Sequence, residues 1–451
     1  MNAAAEIEGS DDLSRTVWRL AWPAVITMML QLLNGLVDMF FVGRLGPAAQ
    51  AAVGMGGQVL MLLMGVSMAV TTGATAIVAR YVGAGDARTV AEASRQSLLL
   101  TAAFGAVLAV PLWLLREPVL VAMGAAPEVV RAGDVYLQAI ALTTLPWFIL
   151  LTLTALFQAL GDLRTPLYVM LIVNGANILG DSVLINGWGP VPALGLLGAG
   201  IASGASRTAG AVVAALWLAR TGLWSQAAGP WSPDSKWFGR ILRIGYPAAA
   251  QSLLRSLGAT GYTKILAVGP EGTAAVAALF IGLRAEGLGY MPGVAYGRAA
   301  TTLVGQSLGA KRPDRAERFG WLCTWQSLAF ITALSIVFFV FAEPIARLFS
   351  SDPLVIALSA SYLRINALGE PFLAFAIVLG GALQGAGDTR FNAFVSVLTM
   401  WVLRLPLTWW LCRSLGLGPA AAWWTMAGTT VVQGLLLAWW FHRGRWKTIE
   451  V

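Results

Sequence analysis

Twelve long stretches of mostly apolar residues, separated by short polar loops, constrain this chain more than anything else in it. A helix crossing a hydrocarbon core of about 30 Å needs roughly 20 such residues. In lipid, only a helix or a closed barrel satisfies its own backbone. The stretches run approximately over 17–43, 51–80, 96–115, 132–158, 164–187, 194–220, 241–268, 274–306, 320–342, 356–385, 390–412 and 418–442. Of all residues 57% are hydrophobic and 12% charged, against about 25% charged in a soluble domain. The mean hydropathy is +0.72. The expectation is an all-α polytopic membrane protein with 12 transmembrane helices.

An even number of spans returns both termini to one side. Loops and tails on that side hold eighteen of the thirty Lys and Arg residues, among them Arg15, Arg19, Arg80, Arg88, Arg220, Lys236, Lys311, Arg312, Arg443 and Lys447. The opposite loops hold five, Arg44, Arg116, Arg131, Arg347 and Arg413. By the positive-inside rule both termini are expected in the cytoplasm, with the chain in the inner (plasma) membrane. The formal charge of +8 then reflects orientation, and no nucleic-acid partner is expected. The start of the chain is acidic (Glu6, Glu8, Asp11, Asp12) and lacks a basic n-region, so no cleaved secretory signal is expected.

The chain also repeats itself. QALGDLRTP from Gln158 returns as QGAGDTRFN from Gln384, and ATAIVARYVGAGD from Ala74 returns as ATTLVGQSLGAKR from Ala300, both at an offset of 226. WPAVITMMLQ around Pro23 meets YPAAAQSLLR around Pro247, and GPAAQAAVGM meets GPEGTAAVAA, at slightly smaller offsets. Six helices separate equivalent points, so equivalent segments cross in the same direction. The pattern is a parallel duplication about the membrane normal. It predicts two pseudo-symmetric six-helix lobes, V-shaped with a central cleft. The expected organisation is a cytoplasmic N-terminal segment 1–16, an N-lobe 17–220, a Pro-, Gly- and Trp-rich cytoplasmic linker 221–240, a C-lobe 241–442 and a cytoplasmic tail 443–451.

Cys323, Cys412 and the lone His442 have no metal-ligand or disulfide spacing. No HExxH, GxSxG or P-loop appears. Neither a metal, a cofactor nor an enzymatic activity is expected. Attention therefore falls on carboxylates inside spans, which are costly in lipid unless paired, protonated or wet. Asp38 lies in QLLNGLVDMFF and Asp181 in NGANILGDSVL, each four residues after an Asn, Asn34 and Asn177. Positions i and i+4 share a helix face, so each acid carries an amide beside it. Gln31 and Asn174 extend these stripes. Helix 7 has Gly261 or Tyr262 in the register of Asp38, so the acid pair belongs to the first half alone. Away from the ends of the spans of that half, Arg207 is the one basic side chain.

The second half differs, with Arg255, Lys264, Arg284, Arg298, Arg364, Arg404, Glu286 and Glu370 inside its spans. Pairing among these groups is expected. Arg284 and Glu286 are two apart on a helix and need not face each other. Pro371, after Glu370, and Pro23, fifteen residues before Asp38, are candidates for bending their helices.

The runs WPAVITMMLQLLNGLVDMFFVGRLGP and RAEGLGYMPGVAYGRAATTLVGQSLGA, with the GDLRTP and GAGDTR loops, resemble a MATE (multidrug and toxic compound extrusion) transporter over roughly residues 15–440. The pattern is most similar to the prokaryotic DinF-like branch. That resemblance implies a functional acid at Asp38, helix-5 partners at Asn177 and Asp181, a helix-1 bend at Pro23, and Ser203 where the branch has a helix-6 Thr. The NorM-like branch uses a helix-7 Glu, a register held here by Arg255. The implied function is multidrug efflux by alternating access. Amphipathic, mostly cationic organic compounds would leave in exchange for H⁺, less readily Na⁺. Asp38, Asp181, Asn34 and Asn177 would form the coupling network. Gln31, Asn174, Ser203 and Met39 are cavity candidates, and Arg255, Arg284, Glu286 and Glu370 polar candidates in the C-lobe. The expected partners are small organic cations and the bilayer, with the protein a monomer. A lipid-linked precursor flippase of the same superfamily is the alternative.

Overall fold

The computed structural model describes residues 12–226, 231–269 and 271–449. Glu6, Glu8 and Asp11, and parts of the 1–16 and 221–240 segments, lie outside the described residues. Among the described residues twelve long helices follow one another: α1 (Leu13–Gly43), α2 (Pro47–Gly83), α3 (Ala87–Leu114), α4 (Pro127–Ala159), α5 (Arg164–Asn186) and α6 (Leu196–Arg220), then α7 (Ser235–Ala267), α8 (Gly272–Gly309), α9 (Pro313–Val340), α10 (Pro353–Gly385), α11 (Thr389–Ser414) and α12 (Pro419–Arg443). Proline opens α2, α4, α9, α10 and α12, where its missing N–H would have had no partner anyway. The Asp86 carboxylate caps α3 by accepting from Thr89 N at 3.0 Å, and Asp352 caps α10 in the same way.

Ten of these helices are long and apolar enough to cross a membrane. The other two, α7 and α12, have the length but not the hydropathy. α7 carries Arg255, Lys264 and several hydroxyls, and α12 is diluted by Trp, Gly and Thr. Two short helices, Arg116–Ala122 and Ala342–Phe349, lie between spans at equivalent places in the two halves. Arg116 pairs with Asp134 at 2.6 Å beside the first of them. α11 departs from regular geometry, with π-helical turns at Leu398–Arg404 and Trp410–Ser414 on either side of an α-turn containing Pro406.

The chain forms two compact units. Trp22–Tyr246 is one; the stretch from Pro247 onward is the other, together with the start of α1 through Ala21. In the first, α4 is central and packs on α2, α3 and α6; in the second, α10 packs on α8, α9 and α12. The two plans coincide under a shift of six helices. They coincide in detail as well. Thr75 on α2 donates to Thr71 O and reaches Ala155 O of α4 at 3.5 Å. Thr301 on α8 donates to Gly297 O and to Gly381 O of α10 at 2.8 Å. The residue numbers differ by 226 throughout. Gln96 of α3 holds the approach to α7, donating to Ser232 O at 2.8 Å and accepting from Asp234 N at 3.0 Å.

The turns after α2 and α8 expose one departure from the repeat. Gly85 takes φ 73°, whereas its counterpart Lys311 takes φ 58° and is the one non-glycine residue with positive φ among those described. A side chain there costs roughly 1–2 kcal/mol, partly offset by the entropy that glycine loses on folding. Lys311→Gly is therefore expected to stabilise the protein by roughly 0.5–1 kcal/mol, read as a raised thermal midpoint in detergent. An unchanged or lower midpoint would contradict this account of the turn.

Candidate functional site

The N-terminal unit concentrates its intramembrane polar groups where α1, α5 and α6 meet. Asn34 Nδ2 donates to Asp38 Oδ2 at 3.4 Å, one turn along α1, as the i, i+4 spacing requires. Across from them α5 presents Asn177 and Asp181, and the Asp38 carboxyl faces both, with Arg207 of α6 in electrostatic range. Asn177 Nδ2 points to Ser203 Oγ of α6 at 3.5 Å. Asp38, Asn34, Asn177, Asp181 and Ser203 are thus gathered into one cluster.

Access differs between the two acids. Asp181 is 1% exposed and Asn177 fully buried, whereas Asp38 is half-buried. Neither Asp181 oxygen has a donor at ordinary hydrogen-bond distance, and one oxygen of Asp38 is likewise unpartnered. Arg207 does not neutralise them by contact. Its guanidinium lies 5.1 Å from the centre of the Trp147 ring, and it forms no ion pair among the described residues. Two carboxyls face each other, one of them buried, with one remote cation. A buried charge without a partner costs several kcal/mol, so this arrangement calls for a proton or a small cation between the oxygens. Asp38 is the more accessible of the two carboxyls.

Other candidates stand apart from the cluster. Gln31 and Met39 occupy exposed positions on α1. Asn174 is buried, but its amide donates to Met170 O of its own helix at 2.9 Å, leaving Oδ1 unpartnered. α1 runs unbroken through buried Pro23, whose carbonyl accepts from Thr27 Oγ1 at 2.8 Å. Tyr136 of α4, 5% exposed, is in electrostatic range of Asp38, Asp181 and Arg207. Sequence reading passes over Tyr136 and Trp147, because an aromatic residue in a span signals only packing until a neighbour is seen.

In the C-terminal unit the two acids inside spans, Glu286 and Glu370, bond hydroxyls, and neither forms an ion pair with an arginine among the described residues. Glu286 accepts from Tyr362 OH at 3.0 Å and Glu370 from Ser335 Oγ at 2.6 Å. Tyr and Ser hydroxyls can turn to meet a buried carboxyl without the desolvation cost of a second charge. Arg284 is exposed. Arg404 bonds to Thr429 Oγ1 at 2.7 Å, Thr430 Oγ1 at 3.0 Å and Met426 O at 3.2 Å. Arg255 Nη1 donates to Tyr290 OH at 2.8 Å. Cys323 and Cys412 are free thiols, the first fully buried.

The model of the MatE family matches residues 23–183 and 247–410. A probable multidrug resistance protein NorM of Thermotoga maritima is 30% identical over 97% of this chain and 94% of its own length. A protein of the same description from Rhodopseudomonas palustris is 30% identical, with 96% and 92% covered. Among solved structures, an outward-facing multidrug resistance MATE family transporter of the MOP superfamily superposes with a TM-score of 0.92 at 22% identity, covering 100% of this chain and 99% of that one. A Vibrio cholerae MATE transporter in a bent form gives 0.88 at 23%, with 98% of each chain covered. These likenesses show the same two-lobed, all-helical fold.

Proposed function

The chain belongs to the MatE family, and from that premise we propose that it is an efflux antiporter. In this reading it lies in the inner membrane with both termini cytoplasmic. It exports amphipathic, mostly cationic organic compounds by alternating access. The counter-ion is H⁺ in preference to Na⁺. The relatives named as multidrug resistance proteins support drug export, and in this reading the carboxyl pair Asp38–Asp181 carries the coupling.

A proton taken up at Asp38 from outside removes one negative charge from the pair and weakens its hold on a cation, so cargo is released outward. Asn34 and Asn177 keep the two carboxyls aligned while Asp181 stays sealed behind them. Return of the proton to the cytoplasm restores the negative site for the next cargo molecule. Exchange of one proton for one monovalent cation moves no net charge, so the pH gradient drives export, and each pH unit supplies about 1.4 kcal/mol, a tenfold concentration ratio. A shared proton needs only the two facing oxygens. A Na⁺ ion would also have to draw in the unpartnered amide oxygens of Asn34 and Asn177. Pro23 supplies a point at which α1 can flex between the two occupancies.

The test is proton release from purified protein when a fluorescent organic cation is added, with and without Na⁺. Release is expected in Na⁺-free buffer and is expected to vanish in Asp38→Asn. Release that appears only with Na⁺, or none at all, would overturn proton coupling at this pair.

A further inference from the structure

The C-terminal unit carries a guanidinium that the coupling chemistry leaves unused. Arg255 lies within α7, twelve residues before its end, and its side chain is exposed. An arginine facing lipid at that depth costs at least about 2.5–3.5 kcal/mol, so accessible space around it is wet space. The rest of α7 agrees. Gln251, Ser252, Ser256, Thr260, Thr263 and Lys264 give this helix the polarity that keeps it below the hydropathy of a lipid-facing span.

Arg255 is held but not neutralised. Tyr290 OH of α8 takes one Nη1 hydrogen at 2.8 Å, and no carboxylate pairs with Arg255 among the described residues. Arg404 makes the contrast, because two threonine hydroxyls and a carbonyl occupy its donors and Glu286 lies in electrostatic range. Glu286 and Glu370 bond Tyr362 and Ser335 and are not paired with Arg255. Trp401 of α11 donates its indole N–H to Leu254 O at 3.1 Å while remaining 37% exposed. Trp401 falls in the π-helical turn, an irregularity frequent at functional sites. In the repeat, Arg255 occupies the place of Gln31, so the duplication replaced a neutral side chain with a cation here.

We infer that Arg255, positioned by Tyr290 on a backbone that Trp401 holds at Leu254, is an anion-binding subsite for the carboxylate or sulfonate of an amphoteric cargo molecule. A planar guanidinium with free donors recognises such a group through paired charge-assisted hydrogen bonds. The assignment deepens the efflux reading and rests on it for the word cargo, since it gives preferred substrates an acidic group besides the cationic one. Binding itself requires neither a gradient nor Asp38.

The experiment compares a cationic xanthene dye bearing a free carboxylate with the ethyl ester of the same dye. Binding to detergent-purified protein is followed by fluorescence polarisation. Wild type is expected to bind the acid about tenfold more tightly than the ester, the scale of one charge-assisted hydrogen-bond pair. Arg255→Gln should erase that preference, Arg255→Glu should reverse it, and Tyr290→Phe should halve it on a logarithmic scale while leaving the charge in place. Equal binding of the two dyes by wild type, binding of neither, or a preference that survives Arg255→Gln would overturn the subsite. Displacement of the acid dye by phosphatidylglycerol but not by phosphatidylcholine would reassign the guanidinium to a lipid headgroup and overturn the cargo assignment. Loss of gradient-driven efflux alone would strike the coupling proposal and leave this one standing.

Discussion

Gly385→Val is expected to deplete folded protein, with a stability loss on the order of 4 kcal/mol. Gly385 ends α10, and a Cβ there would fall 2.1 Å from the carbonyl oxygen of Thr301 on α8 and 2.8 Å from its Cα. Both atoms are backbone, so no rotamer change relieves the clash; the helices must part. Parting them also stretches the Thr301 Oγ1 bond to Gly381 O, now 2.8 Å. The first half of the molecule indicates what a methyl group does at this place. There the equivalent positions are Ala155 and Ala159, and the equivalent hydroxyl–carbonyl distance is 3.5 Å. Gly385→Ala should therefore be tolerated with a moderate loss, and Val, with two more methyl groups, should not. Gly57→Ala is the control, since a Cβ at Gly57 meets nothing within 4 Å and alanine gains up to about 1 kcal/mol in a helix. Monodisperse yield and thermal midpoint in detergent read all three. A Gly385→Val protein that melts like its parent would remove the close α8–α10 contact from the account of stability.

The spans were legible because lipid imposes one requirement along the whole chain, and residues such as those of 51–80 meet it by composition alone. The helices are longer than the spans. α3 begins at Ala87 where hydropathy places an edge near 96, and α9 begins at Pro313 where it places one near 320. Caps such as Asp86 decide those ends, and hydropathy does not weigh a cap. The duplication was legible from four short matches, and it reappears as paired bonds at Thr75 and Thr301. Lys311 in a left-handed turn was not legible, because the local sequence reads as an ordinary basic loop. Within the site, Asp38 and Asp181 stood out as acids in apolar runs. Helical spacing alone placed Asn34 beside Asp38. Which helix would oppose which, and that Arg207 would rest on Trp147 and not on an acid, depend on tertiary packing that spacing does not encode. The same holds for Glu286 and Tyr362, 76 residues apart.

Asp38→Asn and Asp181→Asn are each expected to lower pH-gradient-driven efflux in proteoliposomes by about two orders of magnitude, close to 2.7 kcal/mol. The double variant should be no worse than the weaker single one. Asparagine has the shape of a protonated aspartate and cannot release the proton, so either change freezes the pair in one charge state. When two groups share one proton, removing the second after the first takes nothing more away, and the effects fail to add. Binding of an organic cation supplies a second readout. Proton and cation compete for the same negative charge, so wild-type affinity should rise as pH rises, while Asp38→Asn should show a flat profile. A merely bracing role for Asp181 predicts a different pattern: additive losses, lower thermal stability, and a pH profile of binding that is kept. Undiminished efflux in Asp38→Asn would remove the accessible acid from the mechanism and leave the buried carboxyl behind it without its partner in coupling.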